Sequence, residues 1–205
     1  MSAEKGALIT SWINSGVLKD KEIISAFQKV PRENFVLKEY KEQAYLDEPL
    51  PILKNQTISQ PTTVAIMTQA LAPKAGNKIL EIGTGSGYQA AILSEIVGKK
   101  GKVYTIERIK GLFEFAKKNL KKHKNVVRIF GDGSKGYKEA APFSRIIITA
   151  AANEIPNALF EQLKEKGILL VPVGKESQRL LKITKIQKKM KIEDLGAFIF
   201  VPLVT

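Results

Sequence analysis

Residues 81–87 read Glu-Ile-Gly-Thr-Gly-Ser-Gly, and no other stretch limits the fold of this chain so tightly. The run follows a β-rich segment at residues 78–82 and opens a helical one near Tyr88. Glycines at alternate positions let the backbone turn sharply and bring main-chain atoms against a ligand that any Cβ would hold off. A dinucleotide loop, G-x-G-x-x-G, would need its third glycine where this chain has Tyr88, and a phosphate-binding loop would need Gly-Lys-Ser/Thr, which does not follow. The loop therefore points to a ligand other than a dinucleotide or a nucleoside triphosphate.

The rest of the chain gives the loop its setting. Strand-like runs at 78–82, 102–106, 126–130, 145–149 and 167–172 alternate with helical stretches at 88–97, 109–122 and 155–164. This spacing predicts an α/β fold with a doubly wound, mostly parallel sheet and helices on both faces. Two later runs, 180–186 and 198–203, have no helix-length segment between them and are expected to pair antiparallel at the sheet edge. Upstream, residues 4–14 and 20–29 carry apolar side chains at helical spacing (Leu8, Ile9 and Trp12; Ile23, Ile24 and Phe27). Residues 45–58 read as an ordered loop with short extended pieces, and residues 62–71 as a helix entered through Pro61. The 205 residues are read as one domain, with 1–60 a helical and loop extension over the site and 61–205 the α/β core.

Two carboxylates stand where strands end. Glu107 closes the second strand, about 20 residues beyond the glycine loop, a position from which an acid can accept both ribose hydroxyl hydrogen bonds. Asp132, in Phe130-Gly131-Asp132-Gly133, closes the third and could accept from an adenine amino group; capping the turn that follows is the alternative for each, which the glycine loop disfavours. Open α/β sheets bind ligands at the carboxyl ends of their strands, so three successive ends presenting glycine or acid make one candidate site.

Composition removes several chemistries. With no cysteine, thiolate nucleophiles, thiolate metal sites and disulfides drop out. Imidazole chemistry rests on His123 alone, which lies among lysines without a visible acid or metal partner and reads as the solvated end of a helix. No metal site is expected, and any reaction must run without the usual proton shuttle. Lysine and arginine number 33 against 20 acids, a formal charge of +13, but they are spread along the chain, so no dedicated nucleic-acid partner is expected. No apolar run approaches the roughly 20 residues of a bilayer span and no signal-peptide order is visible at the N-terminus, so the expected location is the cytoplasm.

Glu81-x-Gly83-x-Gly85-x-Gly87, with an acid at the end of the next strand, resembles the class I S-adenosylmethionine-dependent methyltransferase pattern, whose fold is Rossmann-like. That cofactor carries an ammonium and a sulfonium but no phosphate, so a carboxylate at Glu81 is favourable where a pyrophosphate would be repelled. Asn55-Gln56-Thr57-Ile58-Ser59-Gln60-Pro61 is similar to the motif that protein-L-isoaspartate O-methyltransferases place before their glycine loop. Arg32-Glu33-Asn34-Phe35-Val36, Tyr45-x-Asp47-x-Pro49, Leu170-Val171-Pro172-Val173-Gly174 and Phe200-Val201-Pro202-Leu203 also match, in the family's order. Ser144 departs from the pattern, standing where aspartate is expected.

The resemblance implies methyl transfer from S-adenosylmethionine, leaving S-adenosylhomocysteine, to the free α-carboxylate of L-isoaspartyl residues in damaged peptides and proteins, the first step of their repair. It puts Ser59 beside the accepting carboxylate, with Thr57, Ile58, Gln60 and Val201 along the substrate cleft. It assigns the cofactor to Glu81, Gly83, Thr84, Gly85, Ser86, Gly87, Glu107, Arg108, Asp132, Gly133 and Gln178. An α-carboxyl has a reference pKa of about 3.3–3.7, so the nucleophile arrives ionised and needs no base. On its residues alone Ser59 reads as a helix N-cap, a role compatible with the other. The competing enzyme is an RNA methyltransferase. Amino-nitrogen methylation would want Asn/Asp-Pro-Pro-Tyr/Phe where the chain has Thr149-Ala150-Ala151-Ala152, and base C5 methylation would want a cysteine, which leaves ribose methylation. A non-catalytic nucleic-acid module on the same scaffold is the second alternative, and assembly of like chains stays open.

Overall fold

Short runs rich in isoleucine, leucine and valine form a seven-stranded sheet in the computed structural model, which describes residues 2–203. The strands are β1 (Lys78–Ile82), β2 (Lys102–Glu107), β3 (Val126–Phe130), β4 (Phe143–Ile148), β5 (Leu163–Val173), β6 (Gln178–Ile186) and β7 (Lys189–Phe198). They lie in the order β3-β2-β1-β4-β5-β6-β7. The first five run parallel, and β6 and β7 are antiparallel additions. The direction of winding reverses between β1 and β4, so the glycine loop after β1 opens at the switch point of the sheet, where such folds bind ligands.

Alternation along the strands builds two apolar layers. Ile79, Val103, Ile147 and Leu170 face a core shared with α3 (Pro61–Leu71), α4 (Tyr88–Val97) and α5 (Lys110–Asn119). Leu80, Ile82, Ile146 and Leu169 face the opposite layer, whose cover is thin: the single-turn helix Asn157–Glu161 and a 3-10 turn at Lys138–Ala140. The helix expected at 155–164 is cut short because Leu163 already pairs with Phe143 as part of β5. The stretch 109–122 likewise yields only the ten helical residues of α5.

Helix α4 has buried residues all round, which requires cover on its outer side as well as from the sheet. That cover comes from α2 (Lys21–Lys29), with α1 (Ala3–Asn14) packed beside it. One apolar cluster accordingly runs from Ile9 to Phe200 and joins the first 60 residues to the sheet. Residues 50–58 form a small antiparallel ladder, Leu50 opposite Ile58 and Pro51 opposite Thr57.

Two expectations are corrected. The strand that pairs with β6 is Lys189–Phe198, not 198–203; Gln187 and Lys188, both at positive φ, make the two-residue hairpin turn between them. Residues beyond Phe198 leave the sheet, and Pro202 instead forms a parallel bridge with Ala151. His123 is half-buried rather than solvated and does have an acid nearby. Its Nδ1 lies 3.1 Å from the Ser94 hydroxyl and 3.8 Å from Glu95, and burial lowers its pKa. It precedes β3, at the end of the sheet opposite the glycine loop. Among the described residues no helix is long and apolar enough to cross a membrane.

Candidate active site

The glycine loop is built from conformations that side chains resist. Gly83 and Gly87 have φ of +91° and +88°. A Cβ on Gly83 would fall 2.4 Å from Thr149 Oγ1, and one on Gly87 2.9 Å from a Leu120 side-chain carbon. Thr149, just past β4, braces the loop: its hydroxyl donates to the Gly83 carbonyl at 2.7 Å and its N–H to the Ile82 carbonyl at 3.0 Å. Glu107, at the end of β2, accepts from the N–H groups of Gly85 and Ile109, both at 2.9 Å. One carboxylate thus ties the loop to the next strand-to-helix turn, and each of its oxygens retains a lone pair for a ligand hydroxyl.

Glu81 points into the protein from β1 and is fully buried. One of its oxygens accepts the Thr105 hydroxyl, itself 2.6 Å from the Thr84 hydroxyl. The other oxygen is buried with no hydrogen-bond partner. Burial pushes the carboxyl up to about 8; the Thr105 bond pulls it down, and the charge of Glu107 pushes it up further.

Over the loop lies an open cleft. It brings together Thr57, Ile58 and Ser59 from the N-terminal ladder, Glu81, Gly83, Thr84, Gly85 and Ser86 from the loop, Glu107 and Arg108 after β2, Gly133 after β3, and Val201 near the C-terminus. Four predicted site residues stand elsewhere. Gly87 belongs to the turn that starts α4. The Gln60 amide donates to Asp47, and its carbonyl accepts from Thr63. Asp132 is exposed and folded onto its own turn, accepting the Ser134 N–H at 2.9 Å and hydroxyl at 3.0 Å, contacts that with the nearby Arg108 hold it below the usual carboxylate range. Gln178 is not among the lining residues; it donates to the Phe200 carbonyl at 3.1 Å and accepts the Phe200 N–H at 2.6 Å.

Ser59 does not cap α3. The N-cap residue is Gln60, without a side-chain cap of its own, and Asp47 reaches across to accept the Thr62 N–H at 2.8 Å and its hydroxyl at 2.7 Å. Sequence reasoning missed Tyr88, Ile109, Leu112, Thr149 and Pro202, all of which line the cleft. Ile109 and Leu112 had a readable signal, since they are the first apolar residues after the strand-end acid. The donor set suits a nucleoside with a cationic end: two inner carboxylates, apolar walls at Ile106, Ile109 and Leu112, and a single arginine, Arg108, exposed at the rim.

A family model described as protein-L-isoaspartate(D-aspartate) O-methyltransferase matches residues 3–205. A protein-L-isoaspartate O-methyltransferase of Ignicoccus hospitalis is 49% identical, over 100% of this chain and 99% of its own. Among solved structures, a protein-L-isoaspartate O-methyltransferase superposes with a TM-score of 0.90 at 30% identity, over 98% of this chain and 66% of that longer one. A Plasmodium falciparum protein described as a candidate for the same activity, solved with S-adenosyl-L-homocysteine, superposes with a TM-score of 0.85 at 26% identity, over 100% of this chain and 99% of its own.

Proposed function

Because the chain belongs to the protein-L-isoaspartate(D-aspartate) O-methyltransferase family, we propose that its cleft transfers methyl from S-adenosylmethionine to the free α-carboxylate of L-isoaspartyl residues in damaged peptides and proteins. The observation that carries this reading is the meeting in one cleft of the Glu81–Gly87 loop, the strand-end acid Glu107, and Ser59.

S-adenosylmethionine, when bound, supplies an electrophilic methyl group on a positively charged sulfur. Glu107 would hold the ribose hydroxyls while keeping its grip on Gly85 and Ile109. The backbone of Gly83, Thr84 and Gly85 would border the amino-acid end, with Glu81 behind it as a carboxyl that ionises when a cation approaches. Ser59, on the neighbouring wall, would donate its hydroxyl to one oxygen of the accepting carboxylate and so aim the other. The nucleophile arrives ionised at neutral pH, so no base is required of the protein. The wall at Val201, Pro202 and Leu203 would shield the reacting atoms from water, which favours collapse of opposite charges in the transition state. Residues 1–60 and 61–205 would act as one unit, the first roofing the site that the second builds.

Calorimetric titration with S-adenosylhomocysteine tests the cofactor half of this reading. Glu107→Ala should weaken binding roughly 10- to 100-fold, the loss expected when hydrogen bonds to a charged group are removed. Unchanged affinity would remove Glu107 from the site.

A further inference from the structure

Lysines that are spread along the sequence are gathered by the fold at the end of the sheet opposite the glycine loop. Two turns meet there: residues 98–102, which lead from α4 into β2, and residues 120–125, which lead from α5 into β3. Asn125 stitches them together. Its side-chain amide donates to the carbonyls of Ser94 at 3.0 Å and Gly98 at 2.9 Å, and its backbone carbonyl accepts the Val103 N–H at 3.0 Å.

The first turn carries Lys99, Lys100 and Lys102, the second Lys121, Lys122 and Lys124, all of them exposed. Lys118, in the last turn of α5, is exposed as well. Among the described residues none of these seven lysines makes a salt bridge. Residues 93–106 and 115–131 contain one acid, Glu95, which faces His123. On a flanking element, Asp20 is taken by Lys74. With Glu95 counted against them, the seven supply nearly half of the chain's formal charge of +13. Like charges crowded on adjoining turns repel one another and focus a positive potential outward, which a polyanion relieves.

The surroundings select the kind of polyanion. No large apolar side chain is exposed on α4, α5 or the two turns. A protein partner needs such anchors, and protein interfaces are poor in lysine; a membrane surface would likewise find nothing to insert. No tryptophan, tyrosine or phenylalanine stands at 98–102 or 117–125, so unpaired bases have no platform to stack on. The surface suits a ligand that presents rows of phosphates with its bases turned inward.

We propose that this end of the sheet docks the phosphate backbone of double-stranded nucleic acid, without sequence preference, through Lys99, Lys100, Lys102, Lys121, Lys122 and Lys124. The cleft opens at the other end of the strands, so a docked chain keeps it free for peptide. The inference does not depend on the methyltransferase reading.

Fluorescence anisotropy with a labelled DNA duplex of mixed sequence tests it. Six phosphate contacts predict a slope of about −5 for log K against log salt, a loss of roughly 1,000-fold between about 50 and 200 mM. Changing Lys99→Gln, Lys100→Gln and Lys102→Gln together should reduce the slope by about 3 and weaken binding at least tenfold. A control with Lys38→Gln, Lys41→Gln and Lys175→Gln, which removes the same charge from other exposed positions, should stay near the wild type. No binding at low salt, an equal loss in the two triple variants, or equal affinity for poly-L-glutamate or phosphatidylserine vesicles overturns the proposal. On the wild type, the duplex should shift the amide resonances of residues 98–102 and 121–125 and leave those of 83–87 in place. Shifts centred on 83–87 instead would also overturn it, and this measurement decides alone if a variant does not fold.

Discussion

Thr105 donates its hydroxyl to Glu81 across neighbouring parallel strands, and that bond is the one hydrogen bond the buried carboxylate has. With its pKa pushed up to about 8 from a reference of 4.5, Glu81 takes up a proton on folding between those values. Stability should therefore fall as pH rises from about 4.5 towards 8 and level off above it, because the folded state binds more protons than the unfolded one in that window. A cationic ligand reverses the preference, so binding of S-adenosylmethionine near pH 7 should release protons and tighten as pH rises to about 8. Calorimetry in two buffers of different ionisation enthalpy measures the release, and Glu81→Gln should abolish it.

Gln178 is expected to act on the peptide and not on the cofactor. Its two bonds to Phe200 hold the segment whose next three residues line the cleft. Gln178→Ala should raise the KM for peptide several-fold, speed amide exchange at Phe200, and leave S-adenosylhomocysteine affinity unchanged. A fall in cofactor affinity instead would restore the reading in which Gln178 touches the cofactor.

Gly83→Ala should disable the loop. Its φ of +91° and the 2.4 Å approach to Thr149 Oγ1 leave no room for a methyl group. A loss of about 1–3 kcal/mol in stability is expected from the backbone strain, with at least a tenfold drop in cofactor affinity. Chemical denaturation and ligand titration of the variant check both.

Asp47 and Ser59 should separate cleanly. Asp47→Ala removes the cap on α3 and should lower stability by about 1–2 kcal/mol, seen as a fall in melting temperature of roughly 2–8 °C. Ser59→Ala removes no cap, so its melting temperature should stay near the wild-type value.

What could be read in the chain beforehand follows from the range of the forces involved. The bounds of α4 fall at Tyr88 and Val97 as expected because glycines at 87 and 98, both at positive φ, stop it at either end. Strand β7 escaped notice because its alternation is short, Met190 and Ile192 among Lys189, Lys191 and Glu193 before Asp194 breaks it, and most of its side chains are exposed, as an edge strand permits. The apolar run after it was mistaken for a strand; only Phe200 in it is buried, and the run is held instead by the bridge from Pro202 to Ala151 and the clamp of Gln178 on Phe200. Asp132 turns back onto its own loop for a local reason, since its carboxylate is satisfied two residues on by Ser134. The contacts Gln178 to Phe200 and Asp47 to Thr62 are tertiary, and nothing in residue type or spacing announces them.

The most direct test is transfer of labelled methyl from S-adenosylmethionine to a synthetic peptide with one L-isoaspartyl residue, beside the same peptide with normal aspartate, for wild type and Ser59→Ala. The account predicts methylation of the isoaspartyl peptide alone, reduced roughly 10- to 100-fold by Ser59→Ala with the fold intact. Equal methylation of both peptides, or none despite measured cofactor binding, would contradict it.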